Sequence, residues 1–196
     1  ILGVIDATRD PLLGATFLPS DATVNPLQLV TAFTVASRRL GAVIRNRTAV
    51  ASLHTESGSV TGGEGKTLNI DCKAVVCCTG LKTPQLLQPL GIQIPITPKR
   101  GQLLVTEPTE PILRTAVLSA RYIAAKHRPE ILQKEDNRVQ KLGAGLVAEQ
   151  TRQGGLLLGS TREYAGDNRN TTWEGTEAIA AEALRLIPVL RDVRVV

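Results

Sequence analysis

The chain has 196 residues, 42% of them hydrophobic and only 3% aromatic, enough for one large domain or two small ones built on an aliphatic core. Its net charge of +5 is dispersed, with Arg38-Arg39, Lys99-Arg100 and Lys126-His127-Arg128 separated by acidic residues, which argues against a nucleic-acid surface of clustered bases and stacking aromatics. No apolar run approaches the roughly 18 residues of a membrane helix. Cys72, Cys77 and Cys78 cannot pair evenly, make no zinc-type Cys-x-x-Cys pair and lie far from His54 and His127, so no metal is expected and the thiols read as buried and structural.

Residues Ile1 to Pro19 read as a loop and strand closing one element. Asn25 then caps a helix with Pro26 at its first position, and Leu29, Phe33, Ala36 and Leu40 recur at helical spacing until Gly41. Ala42–Arg45 and Ala49–Thr55 read as strands, Glu56–Lys66 as a hairpin region rich in Gly and Ser, and Thr67–Asp71 as a returning strand. Ala74–Cys78 reads as a short, fully buried strand ending at Thr79-Gly80, where an open α/β sheet delivers its backbone to a ligand or simply turns. The neighbours Cys77 and Cys78 should then face opposite sides of that strand.

Thr83 and Pro84 open a brief helix that Pro89 limits, and the proline-spaced segment Ile94–Pro98 is a stiff crossing to a second domain. Beyond it, Gly101–Thr106, Ala116–Ala125, Leu142–Glu149 and Gly155–Thr161 read as strands, with Lys126–Lys141 a solvated excursion. Thr171-Thr172-Trp173-Glu174 fits a capping box for a helix whose face is Ile179, Ala183 and Leu186, ending before Pro188, and Arg191–Val196 reads as a last strand. There is no internal repeat. The order gives an α/β part followed by an α+β part.

Taken together, Asn25-Pro26, Gly41-Ala42-Val43-Ile44, Thr48-Ala49-Val50, the run Asp71 to Gly80, and Ile94 to Gln102 resemble the interior of a flavoprotein of the D-amino-acid oxidase and glycine oxidase family. The resemblance runs from about Gly14 to Val196. Its most specific piece is Ala148-Glu149-Gln150-Thr151, Gly154-Gly155, Leu158-Gly159-Ser160-Thr161-Arg162-Glu163 and Gly166, which is similar to the branch of dye-linked amino-acid dehydrogenases and hydrogen cyanide synthase subunits. Glycine and sarcosine oxidases tend to carry Pro-Arg where Glu149-Gln150 stands. The family's Gly-x-Gly-x-x-Gly, which seats the flavin pyrophosphate on a helix N-terminus, has no match in these residues, and neither does its flavin-facing C-terminal segment. The expectation is an internal piece of a longer enzyme.

The resemblance implies the second half of an FAD-binding domain, Rossmann-like and of glutathione-reductase type, joined to a mostly antiparallel substrate domain. The expected bounds are 1–20 for the end of a substrate-domain segment, 21–95 for the FAD part and 96–196 for the substrate domain. It further implies FAD as cofactor, with the backbone of Val50 at the adenine and Thr79 and Gly80 at the dinucleotide turn. Leu81-Lys82 stands where many relatives have alanine and tryptophan. Arg100 and Gln102 of Arg100-Gly101-Gln102 fall near substrate or flavin, Arg100 being either a carboxylate fork or an exposed strand-start arginine. Arg162 and Glu163 would pair on the surface, and Tyr122, Tyr164 and Trp173 would pack in the core or at a pocket rim. The catalytic residue is unknown, and no Ser-His-Asp triad is expected.

The implied function is oxidation of the C–N bond of an amino acid or secondary amine by hydride transfer to flavin, giving an imine. The implied partners are a small amino acid or amine and further subunits of a hetero-oligomeric dehydrogenase. The implied location is the cytoplasm, which suits free thiols, or the periphery of the inner membrane. The alternative is a non-catalytic interaction domain that keeps the fold without the cofactor; an NAD-dependent reductase is disfavoured.

Overall fold

The computed structural model describes residues 13–128, 130 and 141–196. The chain divides into two compact units, Asp21–Thr97 and Pro98–Val196, the second taking in the described residues up to Ser20.

In the Asp21–Thr97 unit, helix α1 spans Pro26–Arg39. Asn25 is its cap, accepting from the amides of Leu27 and Gln28 at 3.0 and 3.1 Å, while Pro26 fills a position whose amide would have no helical partner. Leu40 closes it, and Gly41 follows at φ +90°. No residue of α1 is buried. Strands β1 (Ser52–Glu56), β2 (Ser59–Gly65) and β3 (Leu68–Asp71) form an antiparallel meander in the order β1-β2-β3. Ser57 and Gly58 both have positive φ, which matches the twist of a two-residue hairpin, so the expected Glu56–Lys66 hairpin contracts to that turn and the rest becomes the central strand. Gly62 is required there, because a Cβ would run into the carbonyl of Ile70 on β3.

Two expected strands are corrected. Ala42–Arg45 and Ala74–Cys78 carry no ladder; Val76 is 86% exposed, Cys78 is exposed, and Cys72 and Cys77 are only partly buried. An apolar, β-prone composition makes a strand only when a neighbour takes its amides and carbonyls, and no described residue does so for Ala74–Cys78. After Gly80–Lys82, a 3₁₀ turn, α2 (Thr83–Leu87) and a second 3₁₀ turn at Gln88–Leu90 end at Gly91, φ +73°.

In the Pro98–Val196 unit, β4 (Leu103–Val105), β5 (Val117–Leu118), β6 (Val147–Gln150) and β7 (Leu156–Gly159) make one antiparallel sheet in the order β4-β7-β6-β5. Alternation sends Leu104, Ala148, Leu156 and Leu158 to one face, where Leu146, Ile179, Ala183, Ile187 and Leu190 complete the core. Helix α4 (Trp173–Leu186) supplies Ile179 and Ala183, and a 3₁₀ turn at Pro188–Asp192 supplies Leu190. Val193–Val196 then returns along the edge of β4, with Thr106 bridging Val195 and the Val196 amide on the Val105 carbonyl at 2.9 Å.

The expected strand Ala116–Ala125 breaks after two residues, because Ser119 caps helix α3 (Ala120–His127) instead. Its hydroxyl accepts from the Tyr122 amide at 3.0 Å and from the Leu146 amide at 3.1 Å, which ties the helix start to the sheet. The cap of α4 is Thr172 rather than Thr171, so Gly175, not Glu174, stands three residues on, and the reciprocal glutamate bond of a capping box has no place. Most of the excursion Lys126–Lys141 lies outside the described residues. No described helix is long and apolar enough to cross a membrane.

Candidate functional site

Arg100 and Gln102 lead into β4, and Thr161 and Glu163 leave β7. The backbones of Arg100 and Glu163 exchange both hydrogen bonds, at 2.8 and 2.9 Å, which sets their side chains beside each other. The Glu163 carboxylate collects three donors: Arg100 Nη2 at 2.5 Å, Gln102 Nε2 at 2.7 Å and the Thr161 hydroxyl at 2.7 Å. Arg100 Nη1 donates to the Asn170 carbonyl at 2.8 Å. Gln102 spans to the start of α4, its Oε1 accepting from the Thr172 amide at 2.7 Å and its Nε2 donating to the Thr172 hydroxyl at 3.1 Å. The Gln102 amide group lies against Gly175, where any Cβ would strike it.

Gln102 and Thr161 are buried, and the Arg100 and Glu163 side chains are 12% and 11% exposed. Burial by itself pushes the Glu163 carboxyl up. The hydrogen bonds from Arg100, Gln102 and Thr161, with the Arg100 charge, outweigh that and hold it below the ordinary carboxylate range. Arg100 is therefore neither an exposed strand-start residue nor a bare fork, and Glu163 pairs with Arg100 rather than with Arg162. The Arg162 guanidinium instead stands 4.7 Å from the centre of the Tyr122 ring, and Lys99 stands 4.4 Å from that of Tyr164. Tyr164 and Trp173 are each 72% exposed, so neither is core. Among the described residues no group of His, Cys, Asp and Glu could hold a metal ion.

In the Asp21–Thr97 unit, Gly80 has φ +54° and nothing within 4 Å of the point where a Cβ would stand. A ligand atom can reach its backbone there. Thr79 and Thr83 share a hydroxyl–hydroxyl hydrogen bond of 2.9 Å across that turn. Val50, 43% exposed, precedes the β1–β2 register, which starts at Ser52 opposite Glu64. Val50, Thr79 and Gly80 are exposed residues, and among the described residues no glycine loop opens a helix that could seat a pyrophosphate.

The pair Glu149-Gln150 divides. Gln150 Oε1 accepts from the amides of Ile112 and Leu113 at 2.8 and 3.0 Å, and its Nε2 donates to the carbonyls of Glu110 and Gly154 at 3.1 and 2.9 Å. It latches the loop before β5 onto the β6–β7 turn. Glu149 points to the other face of the sheet. The latch, the Ser119 cap and the roles of Thr161, Thr172 and Gly175 escaped the sequence reading. Only Thr161-x-Glu163, two oxygen-bearing residues on one face of an extended segment, carried a signal.

One unit thus carries a three-stranded meander, and the other an antiparallel sheet backed by a helix, with a strand-entry Arg-Gly-Gln clasped by a strand-exit glutamate. Residues 4–196 match the family DAO, FAD dependent oxidoreductase, and the chain belongs to it. It is 27% identical over 186 residues to an opine oxidase subunit of Agrobacterium tumefaciens, covering 94% of this chain and 42% of that protein. It is 27% identical over 192 residues to glycine oxidase of Pseudomonas putida, covering 95% and 46%. L-proline dehydrogenase of P. horikoshii has the same fold, with a TM-score of 0.74 at 22% identity over 91% of this chain and 43% of that one. The chain thus spans less than half the length of these relatives.

Proposed function

We propose that the protein carrying this chain is an FAD-dependent oxidoreductase that oxidises the C–N bond of an amino acid or secondary amine to an imine. The match of residues 4–196 to an FAD-dependent family carries this reading. When bound, the flavin supplies the hydride-accepting chemistry. In this proposal Asp21–Thr97 is the second half of a Rossmann-like FAD domain, with the Val50 backbone at the adenine and Thr79-Gly80 at the dinucleotide. Pro98–Val196 is the substrate domain, where Arg100 and Gln102 hold the entry of β4 near substrate or flavin. The substrate is a small amino acid or amine, and further subunits are expected because the opine oxidase and hydrogen cyanide synthase relatives are each one subunit of a larger enzyme. The proposed location is the cytoplasm or the periphery of the inner membrane.

The test is anaerobic titration of the full protein with D- and L-amino acids, sarcosine and secondary amines while the visible flavin band is followed. Bleaching by at least one of them is expected. A purified protein that neither retains nor takes up flavin would overturn the reading in favour of a non-catalytic domain of the same fold.

A further inference from the structure

The sheet of the Pro98–Val196 unit has a second face that α4 does not cover. Register decides who stands there. Leu103 is opposite Gly159, Gly159 opposite Val147, and Val147 opposite Leu118, which gives one cross-strand row; Val105, Leu157 and Glu149 give the next. Their neighbours Leu104, Leu158 and Ala148 point the other way into the core. Leu103, Val105 and Leu118 are 56%, 43% and 49% exposed, so the apolar side chains of this face are open to solvent. Glu149 is the one charged residue in these two rows. Its carboxylate has no hydrogen bond or ion pair with any described residue, in contrast to Glu163 and Glu182 of the same unit, whose carboxylates are taken up by arginines.

The geometry points to this face as the substrate-binding wall, with Glu149 as the counter-charge for a second cationic group on the substrate. The inference rests on the proposed reading of this unit as a substrate domain. A half-buried carboxylate bordered by Leu157 is only partly screened by water, so a cation beside it is favoured over a neutral group of the same shape, and the apolar rows take the aliphatic stem. The occupant is thus an amino acid whose side chain ends in an ammonium or guanidinium. A neutral residue at the same point would have no such preference.

The experiment uses the full protein with its flavin and compares kcat/KM for lysine and norleucine, in both enantiomers, at low and high salt. Lysine is expected to be preferred by about tenfold or more at low salt, and the preference should shrink as salt rises. Glu149→Gln should bring the lysine-to-norleucine ratio to about one, mainly through KM. Butyltrimethylammonium, which the proposed reaction does not consume, provides a second measurement that needs no variant: competitive inhibition, relieved by salt, is expected. Turnover of norleucine with equal turnover of lysine, a Glu149→Gln ratio equal to the parental one, or no inhibition by the quaternary cation would overturn the inference while leaving the oxidoreductase reading intact. Flavin that no amino acid or amine reduces would overturn both.

Discussion

Arg100 and Glu163 meet twice, through a pair of backbone hydrogen bonds and through a 2.5 Å contact between Nη2 and Oε2, at a place where β4 begins and β7 has just ended. The two strands are neighbours in the sheet, so this double contact extends their pairing beyond the last ladder residue. Gln102 carries it on to the N-terminus of α4. One carboxylate therefore fixes a strand entry, a strand exit and, through Gln102, a helix start.

Glu163→Gln should destabilise the full protein by about 2–4 kcal/mol, because Arg100 then keeps its charge in a mostly buried position without an anionic partner. The pH dependence follows from the sign of the carboxyl shift. A folded-state value held below the ordinary 4.5 contributes stability that is present above the unfolded value and is lost as pH falls through the folded one. Thermal unfolding of parent and variant should differ at neutral pH and converge well below pH 4.5. A constant difference down to strongly acid pH would mean that the clasp does not hold the Glu163 carboxyl below its ordinary range, and that the variant loses only packing and hydrogen bonding.

Gly175→Ala adds a methyl group where the Gln102 amide sits, and Gln102 cannot swing away without giving up Thr172 and Glu163. We expect a loss of about 1–3 kcal/mol, despite the higher helix propensity of alanine. A Gly175→Ala, Gln102→Ala double variant should recover part of it, since the clash is then gone. Chemical denaturation of the three proteins measures the coupling.

Ser119→Ala should cost about 1–2 kcal/mol, because one hydroxyl caps α3 and also serves the buried Leu146 amide. Hydrogen exchange gives the local readout. The amides of Tyr122 and Leu146 should lose protection together, and loss at Tyr122 alone would confine the serine to capping.

The legible parts of this chain were those governed by local chemistry. Asn25-Pro26 set the start of α1, and the Ile179, Ala183 and Leu186 spacing gave the inner face of α4, because capping and helical periodicity are written in consecutive residues. Ala74–Cys78 misled because five apolar residues specify burial only when partner strands exist to take their peptide groups. Ser119 misled for the opposite reason: a strand-like context hid a cap whose second bond goes to Leu146, 27 residues away. The Arg100–Glu163 clasp joins residues 63 apart, and nothing in either local sequence states that distance.

At Gly80 the φ of +54° alone strains any side chain, while the space around it is open. Gly80→Val should therefore lose both fold stability and flavin, whereas Gly80→Asn, which tolerates left-handed backbone, separates the two effects. If the proposed dinucleotide approach is right, flavin absorbance per folded protein falls in both variants. Full occupancy in the asparagine variant would return Thr79-Gly80 to the role of a turn.

Arg100→Lys tests whether the clasp reaches the reaction. Lysine keeps a positive charge beside Glu163 but cannot hold Glu163 and the Asn170 carbonyl at once with a planar fork, so the entry of β4 and the start of α4 lose a common anchor. With Arg100 and Gln102 in the proposed vicinity of substrate or flavin, small displacements there matter, and kcat/KM for the best substrate should fall about tenfold or more, equivalent to ~1.4 kcal/mol. Flavin content should survive, because the proposed flavin contacts of this chain are at Val50, Thr79 and Gly80. Parental kcat/KM together with a lowered thermal midpoint would show that the guanidinium serves the scaffold alone, and that the substrate is held by groups other than those Arg100 positions.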